Sequence, residues 1–437
     1  MVGFSSSKDY SYHIWRAFYT LPLRRTHVNV PMPENEQIEQ RLLEVLTPAM
    51  FSPRRIREWR GRNRLLTLPV MVAVVLTLVW RQIASISELV RVLAKEGVMW
   101  IKALEVTQQA LSKRLAKMPS YMFEQVFEEA IRAIRNKYKD DSSRGLSVVW
   151  MADGSTLEAL MRRVKVLRHE GISRLAGKIM MVVDAKRRLP VKWYYTEEGQ
   201  INDKRFCEEL LELLPKGGLL IFDLGFFSFC FFDRFTEQGK YFVTRLREKT
   251  SYKEVEVISR GQYYRDRIVK MGVYRSNPMN NMVRLVEVCW DGKWHSYITN
   301  VLDIKKLSAR EVVELYRNRW KIEEAFLLTK RLLGLSYLWV GDKNGIRIQV
   351  FGTWVFYAVL IDLSHEVAQM LGESIERISY EMVFRGMYHF SVAYRRGEAQ
   401  DIVGFLSENA RLLGIVKRER KSKKLKQQQE AQLWTAS

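Results

Sequence analysis

Cysteine is scarce in this 437-residue chain: Cys207, Cys230 and Cys289 are the only three, an odd number set far apart. That excludes a disulfide framework and a zinc signature, and fits a reducing cytoplasm. Histidine is nearly as scarce, with six scattered residues and no metal-ligand spacing. The opening MVGFSSSKDYSYHIWRAFYT lacks a basic stretch followed by an apolar one, so it does not read as a secretory signal. Long apolar runs are missing too. Leu65 to Trp80 is broken by Pro69 and Val350 to Ile361 is shorter still, against the roughly 20 residues a spanning helix needs. Both read as buried helices. Acidic residues are in deficit, 49 against 71 Lys+Arg, leaving a net charge of +22. That excess points to a polyanionic partner, nucleic acid before an anionic membrane surface. Hydrophobic residues at 47% and charged residues at 27% exclude wholesale disorder, and the length implies two or three domains.

Past a Pro-rich break, VNVPMPENEQ, a basic stretch carries Arg54, Arg55, Arg57, Arg60, Arg62 and Arg64 around Phe51 and Trp59. It is suited to tracking phosphates, or equally to a solvated charged face. Ser85 and Glu88 form a capping box for a helix ending at Lys95, before Glu96-Gly97. Thr107 opens a second helix with an apolar stripe of Ala110, Leu111, Leu115 and Met118, stopped by Pro119. Gln108, Gln109, Ser112, Lys113 and Arg114 lie off that stripe, as in a recognition helix. The connection is longer than a helix-turn-helix turn, and an ordinary helical bundle fits the pattern as well.

From residue 146 the texture changes. LSVVWMAD, GKIMMVVDA and RLPVKWYY read as three strands with tight connections, followed by a helix over 203–214, a strand over 218–223, a short helix and a strand over 240–246. The order β-β-β-α-β-α-β is an α/β arrangement. Residues 247–305 are rich in strand formers and read as a separate β-rich insertion. A long helix runs from Ser308, with Glu311 completing a capping box, to about Leu335. The rest is helical up to a basic, polar tail.

That long helix is the most informative segment. On a wheel of about 100° per residue, Tyr316, Arg319, Glu323 and Lys330 fall within one arc of about 60°. Glu314, Arg317, Asn318, Lys321 and Glu324 cluster elsewhere, as a solvent face should. A charged stripe turned from solvent is costly unless paired or bound to something charged. It reads either as a buried network, Arg319 with Glu323, or as a site. Asp153, closing the strand VVWMAD, and Asp223, closing LLIFD, suit such a site, since α/β sheets place sites at the carboxyl ends of their strands. With Glu323 they make an oxygen-only set of catalytic and metal-ligand candidates. That set favours two Mg²⁺ ions, with Mn²⁺ as a substitute. Two ions about 4 Å apart support in-line phosphoryl displacement, with Asp153 bridging them.

The spacing Y-x2-R-x3-E-x6-K at Tyr316, Arg319, Glu323 and Lys330, with Trp320, Ile322 and Phe326 around it, resembles the signature of bacterial DDE-type insertion-sequence transposases of the IS-four family. The DGST context of Asp153, the FDLGFFS context of Asp223 and the later NGIRIQVFGTWVFYAVLI are similar as well, over about residues 146–362. The resemblance implies a fold of class α/β with a ribonuclease-H-like catalytic core, a β-rich insertion, an α-helical N-terminal DNA-binding domain and a helical C-terminal region. The corresponding boundaries are 1–145 for end recognition, 146–246 and 306–375 for the two parts of the core, 247–305 for the insertion, and 376–437 for the C-terminal region. It implies a Mg-dependent enzyme that binds terminal inverted repeats, cleaves double-stranded DNA at the ends and joins them to target DNA within a homodimer. No membrane is implied, and the place of action is the bacterial cytoplasm at the nucleoid. Tyr316, Arg319 and Lys330 would grip DNA phosphates, Trp320 would stack on a base, and Lys113 and Arg114 would contact the ends. One departure is Leu224, where an Arg commonly follows the second Asp. A degenerate relative that binds DNA without cutting it is the alternative; a general nuclease and a peripheral membrane protein are less well supported.

Overall fold

A computed structural model describes residues 35–50, 65–83, 85–138, 145–156, 177–199, 201–335, 339 and 342–418. The arginines at 54–64 and all but the start of the basic tail lie outside the described residues.

Five helices come first: α1 (Glu36–Met50), α2 (Leu68–Trp80), α3 (Ile86–Lys95), α4 (Gln108–Lys117) and α5 (Ser120–Lys137). Pro69 starts α2 rather than breaking it, since the first turn needs no backbone N–H there. Ser85 accepts from Glu88 N at 3.1 Å, but the Glu88 carboxylate turns to Arg91, so only half of the predicted capping box forms. Between α3 and α4 the chain makes a small antiparallel bridge, Val98 with Ile101, which is why the connection exceeds a helix-turn-helix turn. On α4, Leu111, Leu115 and Met118 are buried as the stripe requires, whereas Ala110 is exposed.

The sheet follows: β1 (Val149–Thr156), β2 (Lys178–Asp184), β3 (Pro190–Thr196), then a 3-10 turn (Asp203–Phe206) leading into α6 (Cys207–Leu213), β4 (Leu219–Ile221), α7 (Phe229–Glu237) and β5 (Tyr241–Arg245). The connection from β1 to β2 is not tight, because some twenty residues separate the two strands and residues 157–176 lie outside the described ones. The strand order is β3-β2-β1-β4-β5. β2 runs antiparallel to β1 and β3, while β4 and β5 run parallel to β1. This is the order and sense expected of a ribonuclease-H-like core. Both faces are covered, so the strands are apolar on both sides. Along β2, Ile179, Met181 and Val183 enter one core, and Met180 and Val182 the other.

Residues 247–305 do not form a separate body. β6 (Tyr252–Arg260), β7 (Tyr264–Met271), β8 (Val283–Trp290) and β9 (Lys293–Thr299) make an antiparallel meander. β9 pairs with β5, so core and meander share one nine-stranded sheet. A fully buried ion pair fastens the meander. Arg284 Nε donates to Asp266 Oδ1 at 2.7 Å, Nη2 donates to Oδ2, and Nη1 donates to the Leu307 carbonyl just before the next helix. Removing one partner of a buried pair leaves an uncompensated charge, at a cost of about 3–5 kcal/mol. Arg284→Met is therefore expected to lower the denaturant midpoint strongly; a midpoint unchanged in urea titration would contradict it.

The predicted helix from Ser308 forms with its full capping box but divides at Arg319. α8 (Ala309–Asn318) ends and α9 (Trp320–Arg331) begins there, joined by tightened bonds from Arg319 N to Tyr316 O and from Ile322 N to Arg319 O, both 3.0 Å. Next comes α10 (Lys343–Met370), 28 residues that include the run Val350 to Ile361. It is long and apolar enough to cross a membrane, but 94% of its apolar window is buried inside the fold. It packs against α2, α4, α5 and the helices that follow it, α11 (Tyr380–Arg395) and α12 (Ile402–Glu408). Its apolarity all round answers that central place.

Candidate active site

Register builds the site. Met151 of β1 pairs with Ile221 of β4 in parallel sense. Two residues on, Asp153 lies within β1 and Asp223 just past the end of β4, and with a side-chain period of two both fall on the face of Met151 and Ile221. That face is the one on which α8 and α9 lie, α8 against β5, β8 and β9 and α9 against β1. Asp153 does not close its strand as predicted: β1 continues to Thr156 in pairing with β2, and only the pairing with β4 stops at Met151. Asp223 does leave the sheet, capping a 3-10 turn over Leu224–Phe226.

Arg319 stands at the division between α8 and α9, with its side chain 9% exposed. Its guanidinium joins all three acids. Nη1 donates to Asp153 Oδ2 at 2.6 Å, Nη2 donates to Glu323 Oε1 at 3.2 Å, and Nη2 is 4.0 Å from Asp223 Oδ2. The Arg319–Glu323 pair thus exists, and Asp153 and Asp223 lie against the same guanidinium. Tyr316 is buried, donates its hydroxyl to Asp223 Oδ1 at 2.8 Å, and lays its ring 5.2 Å from that of Tyr297. Lys330 donates to Ser155 Oγ at 2.5 Å and to Thr156 O at 2.8 Å, tying α9 to the end of β1. Trp320 opens α9 and is 64% exposed beside the cluster. Lys113 and Arg114 are not brought here. They sit on α4 among the N-terminal helices, Lys113 exposed and Arg114 half-buried. Lys321, expected on the solvent face, is half-buried and donates to Glu376.

Burial sets the electrostatics. It pushes the Asp153 carboxyl up to about 6; Arg319 and the Gly154 N–H oppose this, while Glu323 and Asp223 add to it. Burial raises Glu323 as well, again against Arg319. The Tyr316 phenol is raised by burial and then by Asp223, so it remains a donor at neutral pH. Burial works to lower Arg319, but Asp153 and Asp223 outweigh it and the guanidinium is held charged more firmly than usual. Asp153 and Glu323 are therefore poised to exchange a cation or take up protons. As placed, no three of His, Cys, Asp and Glu among the described residues are gathered closely enough to hold a metal ion. The three carboxylates instead surround one cationic head group, an oxygen-only donor set that suits a hard divalent ion in its chemistry.

Asp203 is a residue the pattern did not single out. Its carboxylate lies against Gly154 and Gly225, the residues that follow Asp153 in β1 and Leu224 in the 3-10 turn. The only sequence signal, Asn202-Asp203 after a strand, is a common turn pair. Ser155, within the DGST context, was likewise invisible as the acceptor for Lys330. Leu224 packs half-buried in the second core, and Arg319 lies close to Asp223 regardless.

Comparison with known proteins finds likenesses to transposases. Residues 167–355 match the family model described as "Transposase DDE domain". A protein of Synechocystis sp. described as a transposase for insertion sequence element IS4SA is 26% identical over 167 residues, 37% of this chain and 46% of the relative. The transposase for insertion sequence element IS4 of Escherichia coli is 24% identical over 33% of this chain and 34% of that one. That for IS231E of Bacillus thuringiensis is 29% identical over 33% and 32%. The chain thus spans less than half the length of these curated relatives. A cryo-EM structure of the piggyBac transposase synaptic complex with hairpin DNA matches with a TM-score of 0.40 and 11% identity, over 87% of this chain and 84% of that one, a likeness too loose to carry over any feature of the site. Residues 167–355 are thus similar to a transposase DDE domain, and the relatives that match part of the chain are described as transposases for insertion sequence elements, IS4 among them. The matched region contains Asp223, Tyr316, Arg319, Trp320, Glu323 and Lys330 but not Asp153, whose place in the site rests on strand register and its bond to Arg319.

Proposed function

We propose that this chain is a DNA transposase that binds the terminal inverted repeats of its element, cleaves double-stranded DNA at the ends and joins them to target DNA, working as a homodimer. The observation that carries this is the convergence of Asp153, Asp223 and Glu323 on the Arg319 guanidinium. Asp153, Asp223 and Glu323 would hold two Mg²⁺ ions, or Mn²⁺ in their place. When bound, such ions activate the attacking hydroxyl and stabilise the leaving oxygen. Arg319, released from the acids, offers a fork of donors matched to a phosphate. Tyr316 keeps Asp223 oriented through its hydroxyl, and Lys330 steadies the end of β1 while presenting charge to the backbone of the DNA. The exposed Trp320 ring is free of the core and available to stack on an unpaired base. The N-terminal helices, with Lys113 exposed on α4, would read the ends.

Incubating the protein with duplex carrying the DNA that flanks its reading frame, together with Mg²⁺, is expected to give nicks at the element's ends. Absence of cleavage with any flank and either metal would refute the proposal. Asp223→Ala and Glu323→Ala should each abolish cutting and leave end binding nearly intact, as read by gel shift; loss of binding in both would assign the acids a structural role instead. A chain that binds without cutting gains little support from Leu224, whose side chain serves the core.

A further inference from the structure

Asp203 reaches the two acid-bearing segments, the end of β1 and the 3-10 turn after β4, from the opposite side of the sheet. Along β1 the side chains alternate, so Asp153 faces α9 while the neighbouring position, Gly154, faces the core containing Ala152 and Met180. Asp203 lies on that second side, at the head of its 3-10 turn, where Asn202 Oδ1 accepts from Lys204 N at 3.0 Å. A Cβ built on Gly154 would come 2.5 Å from Asp203 Oδ1, and one built on Gly225 would come 2.7 Å from Oδ2. One carboxylate therefore fills the gap between the β1 backbone after Asp153 and the 3-10 turn after Asp223, an oxygen against each. Lys178 pins it: Nζ lies 2.5 Å from Oδ1, as an ion contact rather than a well-directed hydrogen bond, and donates to Ile201 O at 2.8 Å. Neither glycine has a positive φ, and a side chain at either position would first meet the end of the Asp203 side chain.

We infer that Asp203 is a positioning residue, a strut clamped by Lys178 that sets the separation of Asp153 and Asp223. It acts through the backbone of Gly154 and Gly225 and touches neither acid's working face. Its importance for metal rests on the proposed reading of the site. Mg²⁺ demands near-ideal octahedral geometry, so drift of one segment relative to the other weakens a shared ligand set. Supporting residues of this kind typically change metal affinity by about 10–100-fold.

The test uses the full chain and Mn²⁺ alone, with bound ion read by electron paramagnetic resonance. Asp203→Ala is expected to weaken Mn²⁺ binding by about ten-fold, whereas Asp203→Asn, which keeps the wedge, stays close to the unmodified chain. Amide hydrogen exchange reads the strut without metal: Asp203→Ala should speed exchange in both 153–156 and 223–226. The nearest three atoms to a Cβ at Gly225 all belong to Asp203, so Gly225→Ala should weaken binding by driving the carboxylate toward Gly154. The double variant should then lose no more than either single one. Unchanged exchange at both segments, a change confined to 201–206, or a double variant losing the product of the two single losses would each overturn the strut. If Asp153→Asn leaves Mn²⁺ binding untouched, the metal reading fails, while exchange still decides the strut.

Discussion

Asp153→Asn is expected to lower end cleavage on the order of 10³-fold and, with no divalent metal present at pH 8, to melt at a higher temperature than the unmodified chain. The two effects have one origin. Burial first, then Glu323 and Asp223, push the Asp153 carboxyl up to about 6 against the pull of Arg319. Its value in the unfolded chain is about 3.9. Between those values the folded state binds more protons than the unfolded one, so stability falls as pH rises from about 4 through about 6. Above that window the ionised group costs the fold up to about 3 kcal/mol. Asparagine has the same shape without the charge and removes that cost, leaving Arg319 with Glu323 and Asp223. A melting midpoint a few degrees higher follows. The gain should vanish near pH 4, and added Mn²⁺ should raise the midpoint of the unmodified chain but not of Asp153→Asn. A variant that melts lower at pH 8 would show that the carboxylate stabilises the fold, contrary to this account.

Arg319→Ala should be the most damaging single change to fold and site together. It removes the cation common to three acids, and breaking such a buried arrangement costs about 3–5 kcal/mol at pH 8. The deficit should shrink toward pH 5, because Asp153 and Glu323, deprived of the group that holds their values down, take up protons instead. Unmodified chain should lose cleavage as pH falls through about 6, where Asp153 protonates. In the variant that acid limb should move upward by about one unit or more, the size of shift a nearby opposite charge produces. Arg319→Lys restores the charge but not the fork, and should recover stability better than cleavage. Rate profiles and melts from pH 5 to 9 measure both. An acid limb that stays where it was would mean that Arg319 does not govern the acids.

The charged stripe of the helix that starts at Ser308 was legible because its members lie three, four and seven residues apart, and helical geometry alone puts such residues on one face. The two aspartates were legible as acids that follow apolar strand residues, although Asp153 lies within β1 rather than at its end. The cores were legible in the same local way, from Ile179, Met181 and Val183 alternating with Met180 and Val182. The division of the helix at Arg319 was not. Its dihedrals remain near helical, and only the reach of the side chain toward Asp153, 166 residues away in sequence, accounts for its placement. Nor could periodicity reveal that the meander over 252–299 continues the core sheet, since strand formers announce strands and not their neighbours.

By itself, then, the sequence determined which residue types share a face, the order of strands and helices, and a surplus of bases suited to a polyanion. Tertiary structure alone decided which faces meet. The register of Met151 with Ile221 brought Asp153 and Asp223 together, α9 laid Glu323 and Lys330 over them, and Asp203 came up between Gly154 and Gly225 from the far side. The reason is range. Hydrogen bonding within helices and alternation along strands act over a few residues, whereas the acids and their strut are joined by packing across stretches of 20 to 170 residues that leave no periodic trace.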